Sequence, residues 1–411
     1  MTVVNEAVVR EISTRRGEPD WMLERRLAGH RRFEQRADHR CGRDLSVLDF
    51  DDVDVEPSAP LADPPLQSSD SEVVYQRNSA ALAARGVVFC DMDTAVRDHP
   101  SLVEDVFGTV VSPEDNPYAA LNAAAWSGGS FIYVPPGVEV ELPLQTHGRP
   151  NSAPMGPFER TVIVADEGAT VHYIEGCSAP TYSADSLHAG VVEVIVKASA
   201  RVTHTTIQNW SDNVRNLVTK RAHVEAEGHM TWLDAHIGSK HTISTPAVVL
   251  AGPKARGEVR SVAFAGTDQH HDTGATMIHA AAETTSTIVS KSVSQGGGRV
   301  SSGGLVRVEG DAVGSSSRAR RDALVLDDTS MCDTYPAMEV DARDAVIGHH
   351  ATVARVADDQ LFYLQARGLT EKQATGTIVN GFIEPVTRAL PMEYAVEWAR
   401  LIELQIEGSI G

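Results

Sequence analysis

Residues 158–183 read FERTVIVADEGATVHYIEGCSAPTYS, and this stretch decides how the chain is to be read. Val162 to Ala165 alternate faintly as a strand, Asp166-Glu167-Gly168 turns the chain, and Thr170 to Ile174 run as a second strand. Gly176 is expected to break that strand immediately before Cys177. Two strands, a tight turn and a thiol at the end describe one rung of a stacked β structure carrying a single reactive atom. Taken alone, Cys177 is as readily a small buried hydrophobe as a nucleophile, because neither a base nor a second thiol stands beside it.

Working outward, the rung repeats. Small-residue turns flanked by apolar alternation recur around Ala169, Ala200, Gly228, Ala255, Thr285, Ala312 and Ala345, at intervals of 31, 28, 27, 30, 27 and 33 residues. A period near 30 with two strands per repeat and no helix between them fits a stacked β solenoid. A jelly roll or large sandwich is the alternative that so loose a period leaves open.

The flanks read differently. Residues 1–37 form a basic helical segment, in which Glu18-Pro19-Asp20-Trp21 starts a helix with Trp21, Met22, Leu23 and Leu27 on its apolar face. Residues 38–75, rich in Asp, Pro and Ser, read as a linker. Residues 76–130 are mixed: a strand within 86–96, then short helices in 99–109 and 116–129. The β core spans 131–355, opened by Ser130–Val134 and the stop at Pro135-Pro136. Residues 356–411 are helical, with a break at Gly368, a start at Thr370 and a last helix opened by Pro391. In that last helix Met392, Ala395, Val396, Ala399, Ile402 and Ile406 form a stripe, which packs on its own domain or caps a partner.

The bulk numbers narrow the function classes. A net charge of −20 over 411 residues argues against non-specific nucleic-acid binding and against an anionic membrane surface. No apolar run approaches the roughly 20 residues of a membrane span, and the N-terminus lacks an apolar signal core, so a cytoplasmic location is expected. The four cysteines, Cys41, Cys90, Cys177 and Cys332, form no C-x-x-C pair, which leaves neither a zinc motif nor a thioredoxin-type one. His270, His271, Asp272 and His279 form the densest histidine cluster. Adjacent His270 and His271 would face opposite sides of a strand, so the cluster reads as structural.

Eleven ordered strings carry more than composition: EPDWMLERRL, GVVFCDMDTAV, FGTVVSPEDN, SGGSFIYVPPGVEVELPLQ, FERTVIVADEGA, YIEGCSAP, QNW, NLVTKRA, DTGATMIHA, QLFYLQARG and NGFIEPVTRALPMEYAVE. Together they resemble SufB, the scaffold subunit of the SUF iron–sulfur cluster assembly system, from about residue 7 to 411, more weakly across 38–75. EPDWM and EGCSAP favour SufB over its paralogue SufD. The resemblance implies a mainly β fold, a right-handed parallel β-helix core with helical N- and C-terminal regions. It implies a non-enzymatic scaffold that pairs through its β-helix with a SufD-type paralogue or a second copy of itself. It also implies that the C-terminal helices dock on a SufC-type ABC ATPase, that a cysteine desulfurase and its carrier deliver persulfide sulfur, and that the cargo is an iron–sulfur cluster. Reduced flavin enters among the cofactors the resemblance brings.

Residue by residue, the family's sulfur acceptor matches Cys177. Persulfide transfer needs a thiolate, which a neighbouring cation favours. The family's sulfur-transfer path matches Arg149 and Asn151 in GRPNSA, Gln208 and Trp210 in QNW, and Lys220 in VTKR. Read without the family, Trp210 is a core aromatic and Lys220 an exposed charge. The ligand end departs from the family pattern. Where members carry His-Glu-Ala-Thr, this chain has His349-His350-Ala351-Thr352. Aligned on Thr334-Tyr335-Pro336, the position of a second family cysteine is Ser330, with Cys332 two residues on. Cys332, His349 and His350 are therefore the metal-ligand candidates, since imidazole suits iron. The rival readings are a diverged structural partner that keeps the ATPase contact without ligating a cluster, and a β-helix carbohydrate-active enzyme. No paired-carboxylate constellation supports the last.

Overall fold

The computed structural model describes residues 4–35, 80–148, 158–178, 186–390 and 392–407. The linker reading of 38–75 and the path residues Arg149 and Asn151 lie outside the described residues.

The chain folds as a parallel β-helix with helices at both ends. One sheet holds β1 (Val88–Asp91), β2 (Ser130–Val134), β4 (Arg160–Ala165), β6 (Ser186–Val196), β8 (Val214–Val224), β10 (His241–Ser244), β11 (Ala247–Leu250), β13 (His270–Gly274), β14 (Thr276–His279), β16 (Arg299–Val308) and β18 (Met331–Val340). The other stacks β3 (Leu144–Gly148), β5 (Thr170–Ser178), β7 (Arg201–Trp210), β9 (His229–Gly238), β12 (Arg256–Ala265), β15 (Thr285–Ser294), β17 (Ser316–Val325) and β19 (Val346–Arg355) in sequence order. Among the described strands only β1 runs antiparallel, against β2.

The repeating turn explains the period. Gly168, Ser199, Glu227, Lys254 and Glu283 take φ of +67°, +58°, +59°, +62° and +60°. Each left-handed residue directly precedes a residue that folds under the turn, and Ala169, Ala200 and Ala255 there are fully buried. The anchor of the fifth turn is Thr284, one residue before the expected Thr285. β5 differs from expectation more: it continues through Gly176 to Ser178, because both neighbours, β3 and β7, hold it in register across the glycine.

Between the sheets, the lumen is divided lengthwise. Near these turns it is apolar, filled by Ile132, Ile163, Val171, Val194, Val202, Met230, Trp232, Val259 and Ile288. The outer face of the first sheet is covered by α1 (Glu6–Arg16), α2 (Asp20–Glu34), α3 (Met92–Asp98), α4 (Pro100–Val106) and α5 (Pro117–Ala125). In α2 the fully buried positions are Met22, Arg26, Gly29, His30 and Phe33, so the face is rotated from the expected apolar one. Arg26 is admitted because Glu18 takes both its Nε and Nη2 and the Ala124 and Trp126 carbonyls take Nη1.

The C-terminal helices are α6 (Asp358–Gln365), α7 (Glu371–Thr387) and α8 (Met392–Glu407). Thr370 opens α7 with a capping box to Gln373. α7 and α8 lie on the outer face of the second sheet, against Ile174, Ile207, Leu233, Phe264, Val293 and Leu324. The buried stripe of α8 is Tyr394, Trp398, Ile402 and Ile406, a strict i, i+4 row. Met392 and Val396, expected in the stripe, are 80% and 65% exposed. The helix rotates toward its two large aromatics because they offer the most area to bury.

Candidate functional site

On the side of the lumen away from the apolar turns, the inward positions are polar. In the second sheet, register places Glu175, Thr206, Asp234, Ser261, Ser290 and Arg321 in one row. The next row holds Gln208, His236, Ala263 and Ser292, with the backbone of Cys177 in register beside Gln208. Facing them in the first sheet is a row of His188, Asn216, Thr242, His271, Val300 and Cys332.

These groups are joined across the lumen. Asn216 Nδ2 and His236 Nδ1 both donate to Gln208 Oε1, at 2.6 and 2.9 Å. His188 Nδ1 donates to Asn216 Oδ1 at 2.7 Å, and the His188 ring lies 4.7 Å from that of Trp210. Lys220 is fully buried, contrary to its reading as an exposed charge. Its ammonium donates to Thr206 Oγ1 at 2.6 Å and Asp234 Oδ1 at 2.8 Å, and sits 5.7 Å from the Trp232 ring. The stack closes over Trp210 through Gly238, where φ is +72° and a Cβ would lie 1.8 Å from the Trp210 carbonyl oxygen. The structure thus places Gln208, Trp210 and Lys220 on one buried polar side of the lumen, with the Cys177 position in register beside Gln208.

Four members of this network were not legible as functional from their local sequence: Glu175, His188, Asp234 and His236. Their signal is a polar residue at every second position of a strand, which separates lumen from exterior only once the turn sets the parity. Burial raises the Glu175 carboxyl to about 7, with Glu159 adding like charge and Lys220 opposing both. A carboxyl whose folded pKa is raised stabilises the fold fully below its unfolded value, and that stability is lost as pH rises through about 7. Glu175→Gln is therefore expected to unfold at a higher temperature than the wild type at pH 8, with the gap closing toward pH 5. Melting curves at the two pH values check it; a gap of the same size at both would refute the assignment.

The ligand candidates are placed apart. Cys332 turns inward beside Ala265 and Val300, its Sγ 3.2 Å from Ser294 Oγ, and burial pushes its thiol up. Ser294 is in register with Val325 and then Arg355. Arg355 is six residues beyond His349 on β19, roughly 20 Å along a strand. His349 ends the inward row Tyr173, His204, Trp232, Val259, Ile288 and Ala319. His350, one position on, is exposed and meets Thr352 Oγ1 at 2.9 Å. Ser330 is held in a turn by Asp327. Among the described residues no three His, Cys, Asp or Glu side chains gather as a metal site. His270 and His271 take opposite faces: His270 is half-buried, whereas His271 is fully buried and donates from Nε2 to the Gly238 carbonyl at 2.7 Å.

Comparison with known proteins decides the family. Residues 148–382 match the family described as SUF system FeS cluster assembly, SufBD core domain, and residues 69–146 match the SufBD protein N-terminal region. The chain belongs to the SufBD family. Its relatives include iron–sulfur cluster assembly SufBD family proteins of Staphylococcus saprophyticus and Staphylococcus haemolyticus, each 47% identical over 99% of this chain and 94% of the relative. A further one, from Staphylococcus epidermidis, has the same identity and coverage. The family covers SufB and SufD alike. No helix among the described residues is long and apolar enough to cross a membrane. Directly bonded side chains, Lys220–Asp234 and Gln208–Asn216, span the lumen of this SufBD protein.

Proposed function

We propose that this SufBD protein is a SufB-type scaffold of iron–sulfur cluster assembly. It accepts persulfide sulfur on Cys177, receives iron, and builds a nascent cluster for transfer to apo-proteins. The observation that carries the reading is the buried polar edge of the lumen, on which the Cys177 position adjoins Gln208 and the row of Lys220's partners Thr206 and Asp234.

Sulfur acceptance is a redox-neutral exchange. The Cys177 thiolate attacks the outer sulfur of a donor persulfide from a cysteine desulfurase or its carrier. The donor's S–S bond breaks, its thiolate leaves, and the proton stays on the new Cys177 persulfide. Lys220, with Arg149, would stabilise anionic sulfur, and Gln208 and Asn151 would supply amide donors along the path past Trp210. Cys177→Ala is expected to lose persulfide labelling at least 100-fold while keeping its melting temperature. Wild-type labelling in that variant would sink the reading.

The open end of the β-helix supports pairing with a SufD-type paralogue or a second copy. β18 and β19 end the two sheets, and Met331, Tyr335, Met338, Val346 and Val353 are exposed there. Because Cys332 and His349 stand far apart within one chain, a cluster using both would draw Cys332 from one chain and His349, with His350, from the other. The ABC-type ATPase would meet the C-terminal helices, where α6 exposes Phe362 and Tyr363 at 71% and 56%. The separation of Cys332 from His349 favours, as a second reading, a structural partner that binds the ATPase without ligating a cluster. Anaerobic reconstitution with iron, sulfide and reductant decides between them. Absorption lost in Cys332→Ser and His349→Ala identifies a scaffold; no iron-dependent colour in any form, alone or with the ATPase and paralogue, identifies a structural partner.

A further inference from the structure

Among the described residues, Arg321 is a buried cation with no carboxylate partner. Arg321 is 4% exposed and lies on the inner face of β17. Its Nη2 donates across the lumen to the Gly303 carbonyl at 3.3 Å, and its Nε has no partner. Among the described residues it makes no ion pair. Its neighbour Asp322 points the other way and is held by Lys291 and Arg320 at 2.7 and 2.8 Å. Burial pulls the guanidinium's pKa down with no acid opposing it. A guanidinium nevertheless keeps its charge, and a buried charge without a counter-charge is a costly arrangement.

The groups around it complete a cradle. Thr273, Ser302 and Thr334 form a row of the first sheet beside Gly303. The hydroxyls of Ser302, itself 4% exposed, and of Thr334 have no partner. Two hydroxyl donors and a guanidinium edge present positive potential and leave it unanswered. Arg321 already reaches the opposite sheet across the lumen at 3.3 Å, so the anion these donors take must be small. The site also lies on the row that passes through Glu175, Thr206, Asp234, Ser261 and Ser290, and Arg321 is its last polar member before Ala351.

We propose that Arg321, Ser302 and Thr334 form a binding site for a small monovalent anion inside the lumen, and that its ligand is hydrosulfide held at the far end of the polar edge. The choice of hydrosulfide rests on the scaffold reading above together with a dithiol reductant, which would release the outer sulfur of the Cys177 persulfide as hydrosulfide, return Cys177 to the thiol and itself become a disulfide; the anion site itself rests on the uncompensated guanidinium.

The test uses the full-length chain, anaerobic and iron-free, in buffer whose only anion is bulky gluconate. Sodium bromide and sodium hydrosulfide are titrated separately while the melting temperature is followed. Wild type is expected to gain stability saturably with each anion, and bromide is expected to compete with hydrosulfide in calorimetry. Arg321→Met is expected to melt higher than wild type without added anion and to lose the anion response at least tenfold. Arg321→Lys keeps part of it. An Arg321→Met variant that responds as wild type does overturns the site. Saturable bromide binding that hydrosulfide fails to displace overturns the assignment of the ligand. Cys177→Ser separates this from the scaffold reading: it removes persulfide acceptance, whereas hydrosulfide binding at Arg321 must persist in it.

Discussion

Lys220→Met is expected to destabilise the folded chain by about 3–5 kcal/mol, the cost of leaving one member of a buried ion pair alone. Lys220 has no exposed surface, Asp234 is 2% exposed, and the pair is closed at 2.8 Å. Without the ammonium, Asp234 Oδ1 loses its cation, and Oδ2 already lacks a partner. The carboxylate must then stay charged in a dry lumen or take up a proton. The double variant Lys220→Met with Asp234→Leu removes both charges and is expected to recover most of the loss, because apolar groups of similar volume often replace buried ion pairs at no net cost. Chemical denaturation of the four proteins of this cycle gives the coupling between the two residues. Stability and sulfur handling should part company in the double variant. If Lys220 steadies migrating sulfur anions, the restored fold still fails to pass sulfur on from Cys177. Sulfur transfer that returns together with stability would make Lys220 a structural residue only.

Acidification from pH 7.5 to pH 5 is expected to lower stability steeply through the buried histidines. Burial holds His204 and His236 well below the usual imidazole range and brings His271 and His279 down to about 4. Lys220 adds to the depression at His204 and His236. A neutral imidazole in the fold that becomes imidazolium on unfolding favours the unfolded chain increasingly below pH 6.5. By pH 5, His271 and His279 have each given up about 2 kcal/mol, a large share of a net stability of roughly 5–15 kcal/mol. Glu175 works in the opposite direction over the same range, since its raised carboxyl favours the fold as pH falls. His279 exchanges hydrogen bonds with Thr284 at 2.8 Å and Ser286 at 2.9 Å, so His279→Gln keeps a polar group there while removing the titration. That variant should show a shallower acid slope. A wild-type melting temperature unchanged between pH 7.5 and pH 5 would refute the neutral-histidine account.

The solenoid was legible because its repeating turn is local. A left-handed residue followed by a small one that folds under the chain recurs about every 30 residues, and the β-branched runs between such turns suit rungs that stack on each other. Helix starts at Asp20, Pro100, Pro117 and Thr370 were legible for the same reason: a cap or an early proline acts within one turn of chain.

The repeat, the helical ends and the family strings are thus readable along the chain, because neighbours a few residues apart set them. The tertiary structure alone decided which polar side chains share the lumen. Lys220 meets Asp234 from the opposite sheet, and Cys332 turns inward while His349 stands roughly six strand residues away. β5 passes straight through Gly176 because strands on both sides hold it, and α8 turns Tyr394 and Trp398, not Met392 and Val396, onto the sheet. In a strand every second side chain faces the same way, so the parity set at each turn and the register between rungs assign each residue to lumen or solvent, and no window of sequence contains the rungs above and below it.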